Sequence, residues 1–337
     1  MKVLFLGGTG NISSACVKLA LDKGHDVTIF NRGTSELKPD ARCKQITGDR
    51  NDRVALEKLA RNGKFDVVAD FIAFTPDDVE ADLAAFSGQV GHFLFISSAT
   101  VYQKPPANYL ISETTPLGNP FWEYARLKIQ CEERFRQAYK KDRFPVTIVR
   151  PSYTFGPRWI PAAVGGHGYT NVYRLRQGKP IVSHGDGQSL WVMTFNTDFA
   201  QGFVGLFGQL RAIGEAFHIT SDEVLTWDQI YQTIAEVAGE EPRIVHLPSE
   251  VIAAVHPPYA GTLLGDKAYS TVFDNSKIKR VVPEFKAKVS FRDGIVQSLA
   301  WYEADSKRQK IDETANKVLD RLVALHQEMM SKAQINN

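Results

Sequence analysis

Hydrophobic residues along this chain arrive in short bursts separated by longer amphipathic stretches. Val3-Leu4-Phe5-Leu6 is the first burst, and it runs straight into Gly7-Gly8-Thr9-Gly10. A continuous apolar run of that length, bounded by glycine, predicts a strand buried on both faces. Ile12, Cys16, Leu19, Ala20 and Lys23 then recur at helical spacing, and Gly24 closes the helix. Val27-Thr28-Ile29-Phe30 reads as a second strand. The beat continues with a strand at Ile46, a helix over 54–61, a strand over 65–70, a helix over 76–86 and a strand over 92–96. Pro76-Asp77-Asp78 places a proline and two acids where a first helical turn wants them. A long helix over 122–140 and a sixth strand over 146–149 follow. This alternation implies an α/β fold, a doubly wound parallel sheet with helices on both faces.

Ligands on such a sheet sit at the carboxyl ends of the strands, where Gly7, Ser98 and Pro151 fall. The pattern therefore predicts a Rossmann-type nucleotide-binding domain over residues 1–165, with 188–215 returning to it. From about residue 155 the rhythm changes, and glycine, proline and aromatic residues cluster over 156–187. Residues 166–310, including a helix over 227–238, are expected to form a smaller C-terminal α/β substrate lobe. Residues 311–337 read as a helical extension with Val318, Leu322 and Leu325 on one stripe. Such a stripe packs on its own domain or supports a homodimer contact.

Composition narrows the class. The 337 residues are 43% hydrophobic and 23% charged, with a net charge of +2, so bulk charge points to no acidic or basic partner. Cys16, Cys43 and Cys131 are scattered and odd in number, which speaks against a disulfide scaffold or a metal site. No run approaches the about 18 apolar residues needed to cross a bilayer. With the first core strand starting at once, no signal peptide is read, and a cytoplasmic location is expected.

The opening turn carries the first chemistry. Its glycines let backbone approach a diphosphate, and the first amides of the helix point at the negative charge. Gly7, Gly10, Asn11 and Ile12 are the candidate cofactor contacts. The last position, usually glycine, is Ser13, which predicts slightly looser helix–strand packing. After the second strand come Phe30-Asn31-Arg32-Gly33, with no acid until Glu36. A carboxylate there would repel a 2′-phosphate. Asn31 and Arg32 instead allow NAD(P) with NADP(H) preferred, Arg32 pairing with the phosphate. Tyr124 and Lys128 share one helix face, and an ammonium beside a phenol favours the phenolate. Tyr124 is thus a candidate general base and Lys128 a candidate ribose contact. Ser98, at a strand end, supplies a hydroxyl for the substrate oxygen.

A glycine loop, then a strand-end serine, then Tyr-x-x-x-Lys: in this order the chain resembles the extended short-chain dehydrogenase/reductases, the NAD-dependent epimerase/dehydratase family. Ser98-Ala99-Thr100-Val101-Tyr102 is similar to the serine motif of UDP-glucose 4-epimerases, and Asp70-Phe71-Ile72-Ala73-Phe74-Thr75 to an atypical branch that includes chloroplast stem-loop-binding proteins. The resemblance implies a Ser98–Tyr124–Lys128 catalytic set. It also implies an adenine contact at Asp49, with Arg50 beside it as a candidate cofactor contact, and a nicotinamide contact at Pro151. Where these epimerases carry a diphosphate-gripping arginine, this chain has Trp191, and an indole cannot replace a guanidinium fork. Arg158, Arg174 or Arg176 is then a candidate substitute, and Thr100, His167 and Trp191 are further candidate substrate residues. The expected function is hydride transfer with a small sugar or nucleotide-sugar substrate, as epimerase, dehydratase or dehydrogenase. Two alternatives stand beside it: an RNA-binding protein of the stem-loop type, and an NADPH-sensing regulator without turnover. The weak net charge speaks against a nucleic-acid partner.

Overall fold

The computed structural model describes residues 1–335. Seven parallel strands form the central sheet. They are β1 (Lys2–Leu6), β2 (Asp26–Asn31), β3 (Lys44–Thr47), β4 (Val67–Asp70) and β5 (His92–Ile96), with Val146–Pro151 and Ala216–Ile219 beyond. The spatial order is β3, β2, β1, β4, β5, Val146–Pro151, Ala216–Ile219. The chain builds outward from β1 to β3, then crosses back to β4, which pairs with β1 on its other side, Leu6 opposite Asp70. Between the ends of β1 and β4 the strand order reverses, and a crevice opens there. The seventh strand, Ala216–Ile219, lies just beyond the expected return.

Alternate residues of each strand feed opposite cores. Val3, Phe5, Ala69, Leu94 and Val149 meet Cys16, Val17 and Ala20 of helix α1 (Asn11–Asp22) and Phe199 and Phe203 of helix Asn196–Gly205. Leu4, Leu6, Val68, Phe93 and Phe95 meet Leu56 of α2 (Arg53–Gly63), Phe86 of α3 (Pro76–Phe86) and Cys131 and Phe135 of α4 (Glu123–Asp142). The buried stripe of α1 is Ser13, Cys16, Val17 and Ala20 rather than the one read from spacing, and Lys23 is its exposed C-cap. Helix Ser276–Val281 also joins the sheet's core through Ile278, so the chain passes between the halves more often than a two-part division has it.

A third core holds the lobe. Trp191, Trp227, Tyr231 and Phe155 pack there with Leu319, Leu322 and Val323 of the C-terminal helix, Glu313–Ile335. The apolar stripe of that helix therefore faces its own domain, with Val318 and Leu325 only half-buried. Among the described residues no helix is long and apolar enough to cross a membrane, and no group of His, Cys, Asp and Glu could hold a metal.

Candidate active site

A cleft of about 1260 Å³ opens at the β1/β4 crevice, bounded by the glycine turn on the sheet side and by the lobe on the other. Gly7 and Gly8 have φ of 103° and 97°, backbone that only glycine adopts without strain. A Cβ on Gly8 would lie 2.8 Å from Ile29 Cγ2. The turn is thus bare backbone running into the first turn of α1, and Gly7 through Ser13 all line the cleft. Ser13 Oγ accepts from Gly10 N–H at 2.9 Å and is buried. The serine therefore caps the turn rather than loosening it. Asn11 is pinned on two sides: its Nδ2 donates to Thr154 O at 3.0 Å, and its carbonyl accepts from Asn196 Nδ2 at 2.9 Å. Ile12 lies beside it in the lining.

At the end of β2, Asn31 Oδ1 accepts from Gly33 N–H at 2.9 Å and Gln45 Nε2 at 3.0 Å. Arg32 lines the cleft, exposed, and makes no hydrogen bond or ion pair among the described residues. Asp49, also lining and exposed, accepts from Asn51 N–H. Arg50 departs from its expected role as a cofactor contact. Its guanidinium turns inward to Asp70 at 2.8 Å, Asp82 at 3.0 Å and Asp78 at 3.3 Å, and donates to Asp78 O at 3.0 Å. Two buried acids and the half-buried Asp78 around one cation take up its charge. Burial alone would raise the Asp70 carboxyl. The Arg50 charge overrides that and holds it below its usual range, while burial and Asp70 push Asp82 well up.

Ser98, Tyr124 and Lys128 come together on one wall of the cleft. Ser98 Oγ accepts from Thr100 N–H at 3.2 Å and Thr100 Oγ1 at 2.9 Å, which leaves its own proton to donate, toward Tyr124. Lys128 is buried, and its Nζ donates to Ala73 O at 2.6 Å and Ile96 O at 2.7 Å, leaving a third N–H. Burial pulls its pKa down to about 8, against the opposing pull of Asp70. The Nζ lies 5.9 Å from the Tyr124 ring centre. The expected lowering of the Tyr124 phenol does not hold. Burial raises it, a hydrogen bond with Ser98 opposes the rise, and Asp266 adds to it. Glu132, one further turn along α4, clasps Ser97 Oγ at 2.6 Å and Arg150 at 2.6 Å, tying the helix to the strand ends that carry Ser98 and Pro151. Pro151 itself lines the cleft.

The candidate substrate residues divide. Thr100 and His167 line the cleft, His167 stacked on Trp159 with ring centres 3.4 Å apart. Arg158, Arg174 and Trp191 do not line it. Arg158 is exposed and lies over Trp301. Arg174 is buried on Asp320 at 2.7 Å and Asn316 Oδ1 at 2.8 Å, anchoring the C-terminal helix. Arg176 pairs with Glu303 and Tyr169 Oη. Trp191 is a core residue, 5.6 Å from Trp227. The cleft is lined beyond these by Trp122, at the start of α4, and by Tyr153, Trp159, Tyr259, Asp266 and Lys267. Of these, the adjacent pair Asp266-Lys267 sits in a π-helical turn, Leu263–Lys267, which no local motif marks in the sequence.

An open parallel sheet whose glycine turn faces a deep cleft at the strand-order reversal defines a Rossmann-type nucleotide-binding protein. More particularly, the chain belongs to the NAD dependent epimerase/dehydratase family, which residues 3–219 match. NAD(P) binding is typical of that family. The chloroplast stem-loop binding protein of 41 kDa b of Arabidopsis thaliana is 25% identical over 266 residues, which are 73% of this chain. This chain spans 65% of that protein's length. The 2′-dehydrokanamycin reductase of Streptomyces kanamyceticus is 24% identical over 86% of this chain and 81% of its own. In fold, the UDP-glucose 4-epimerase of Bifidobacterium longum, solved with NAD+ and UDP, superposes with a TM-score of 0.73 at 20% identity, over 91% of this chain and 99% of that one.

Proposed function

We propose that this protein is an NAD(P)-dependent enzyme that moves hydride to or from a sugar-type substrate, as an epimerase, dehydratase or dehydrogenase. One observation carries the reading: Ser98, Tyr124 and Lys128 stand together in the same cleft as a bare glycine turn. The cleft fits a dinucleotide, because a glycine turn without bulky side chains and the N-terminus of α1 both line it. The turn and α1 hold the diphosphate, Asn31 and Asp49 the adenosine, and Lys128's third N–H the second ribose. Arg32, exposed and without a hydrogen bond or ion pair among the described residues, favours NADP(H). When bound, the nicotinamide supplies the hydride acceptor. Tyr124 would carry the proton between the substrate hydroxyl and its own Oη. Ser98 Oγ–H steadies the same oxygen, and Lys128 places positive charge behind the phenol. Three free thiols, two of them buried, fit a reducing compartment such as the cytoplasm.

The test is Tyr124→Phe, which removes only the ionisable group. Turnover should fall by about 10²–10⁴ with cofactor affinity little changed, the usual worth of general acid–base catalysis. Near-normal turnover would remove Tyr124 from the chemistry. The similarity to a stem-loop binding protein supports a second reading, RNA association. Filter binding to a stem-loop RNA at two salt concentrations tests it, since phosphate contacts weaken steeply with salt.

A further inference from the structure

The lobe wall has a charge pattern that a nucleotide sugar does not match. Among the described residues lining the cleft, the Lys and Arg cations are Arg32, Arg50, Lys128 and Lys267. Arg32 stands at the end of β2, Arg50 is consumed by three carboxylates, and Lys128 is held beside Tyr124. Lys267 alone remains for the substrate side, and its nearest charge is an acid. Asp266 Oδ2 lies 4.0 Å from Lys267 Nζ, and Asp266 Oδ1 lies 3.9 Å from the buried Lys104 Nζ. Both distances exceed hydrogen-bond reach.

The Asp266 carboxylate accepts no hydrogen bond among the described residues, though its side chain is only 14% exposed. Lys267 Nζ makes one long bond, to Thr262 O at 3.4 Å, and lies 5.5 Å from the Tyr153 ring centre. An acceptor without donors and an ammonium with spare donors thus sit side by side in the cleft. Such groups require partners of both kinds, which an array of ring hydroxyls supplies. Trp122, 5.2 Å from the Tyr124 ring, and the Trp159–His167 stack add apolar faces. A diphosphate would instead bring two or more negative charges to a carboxylate, with Arg174 and Arg176 engaged elsewhere and Arg158 outside the lining.

We infer that the cleft takes a neutral polyhydroxylated ring, a sugar or cyclitol without a nucleoside diphosphate, whose hydroxyls donate to Asp266 and accept from Lys267. The inference rests on the hydride-transfer reading. It is tested on the full chain loaded with NADP+, titrated by calorimetry with UDP, UDP-glucose, glucose 1-phosphate, methyl glucosides and myo-inositol. Cofactor reduction is followed in parallel. UDP and UDP-glucose should bind no tighter than about 1 mM, a few kcal/mol of affinity, while a neutral ring is bound and oxidised. Asp266→Asn and Lys267→Met should each raise the KM for that ring about tenfold or more, with cofactor affinity within about twofold of wild type.

Micromolar UDP-glucose binding would overturn the assignment. So would tighter binding of glucose 1-phosphate than of the neutral rings, a panel in which no neutral ring binds, or an unmoved KM in Asp266→Asn. Tyr124-dependent turnover of UDP-glucose would overturn it while leaving the hydride-transfer reading standing. Turnover that survives Tyr124→Phe would remove that reading instead.

Discussion

His92 is a built-in acid sensor of stability, and its hydrogen bonds show why. It opens β5 and is 2% exposed. Thr147 Oγ1 donates to Ala212 O at 2.6 Å, so the 2.7 Å contact with His92 runs from Nε2–H to that oxygen. Gly208 N–H donates to Nδ1 at 3.2 Å. Both ring nitrogens are committed to the neutral form, and a proton on Nδ1 would face an amide proton. Burial accordingly pulls the pKa from 6.5 to about 4. Across that interval the unfolded chain binds a proton that the folded chain refuses. The stabilisation is therefore complete above pH 6.5 and lost as pH falls to about 4, amounting to roughly 3 kcal/mol at 1.36 kcal/mol per unit. His184, bonded through Nε2 to Lys267 O and likewise held near 4, adds a similar loss. The two together rival a whole domain's stability of about 5–15 kcal/mol. Urea unfolding followed by tryptophan fluorescence between about pH 7 and pH 4.5 should show the decline, and His92→Gln should flatten it by roughly 2–3 kcal/mol. Parallel pH slopes for wild type and His92→Gln would refute the reasoning.

Three further outcomes are expected. Lys128→Met should weaken cofactor binding, move the pH–rate profile to higher pH and lower stability by about 2 kcal/mol, because Ala73 O and Ile96 O each lose a charged donor; equilibrium binding and a pH series check this. Arg32→Ala should weaken NADPH about tenfold or more and leave NADH nearly untouched, since the residue has no other partner; equal losses would end the NADP assignment. Arg174→Met should cost about 2 kcal/mol of stability by freeing Asp320 and Asn316, with turnover per folded molecule unchanged; a loss of turnover at full stability would return it to the substrate.

Local pattern reached far into the sheet half, because there each strand must be apolar on both faces and each turn must follow at once. The same holds for Tyr124 and Lys128, four residues apart on one helix, whereas Ser98 is placed only by its position at a strand end. The arginines show where local reasoning stops. A guanidinium on a long flexible stem goes wherever distant carboxylates wait, and those of Arg50, Arg174 and Arg176 come from 20 to 146 residues away. Nothing near position 50 in the chain announces Asp70, and nothing near 174 announces Asp320. Asp266 and Lys267 are hidden for the opposite reason. Their meaning comes from how few partners they have among the described residues, which only the assembled lobe reveals.

Lys128 enters the cleft already immobilised. Asp70 receives Ile72 and Ala73 N–H, Asp78 receives Phe74 and Thr75 N–H, and Arg50 joins the two acids, so the loop that presents Ala73 O is stitched from beneath. The rotamer freedom of a lysine, about 1.5–2 kcal/mol, is surrendered when the chain folds rather than when a ligand arrives. Warming therefore has no separate loose part to release first. Freeing Lys128 means breaking the Arg50 cluster at the end of β4, and the temperature at which cofactor capture fails should coincide with that at which the domain melts.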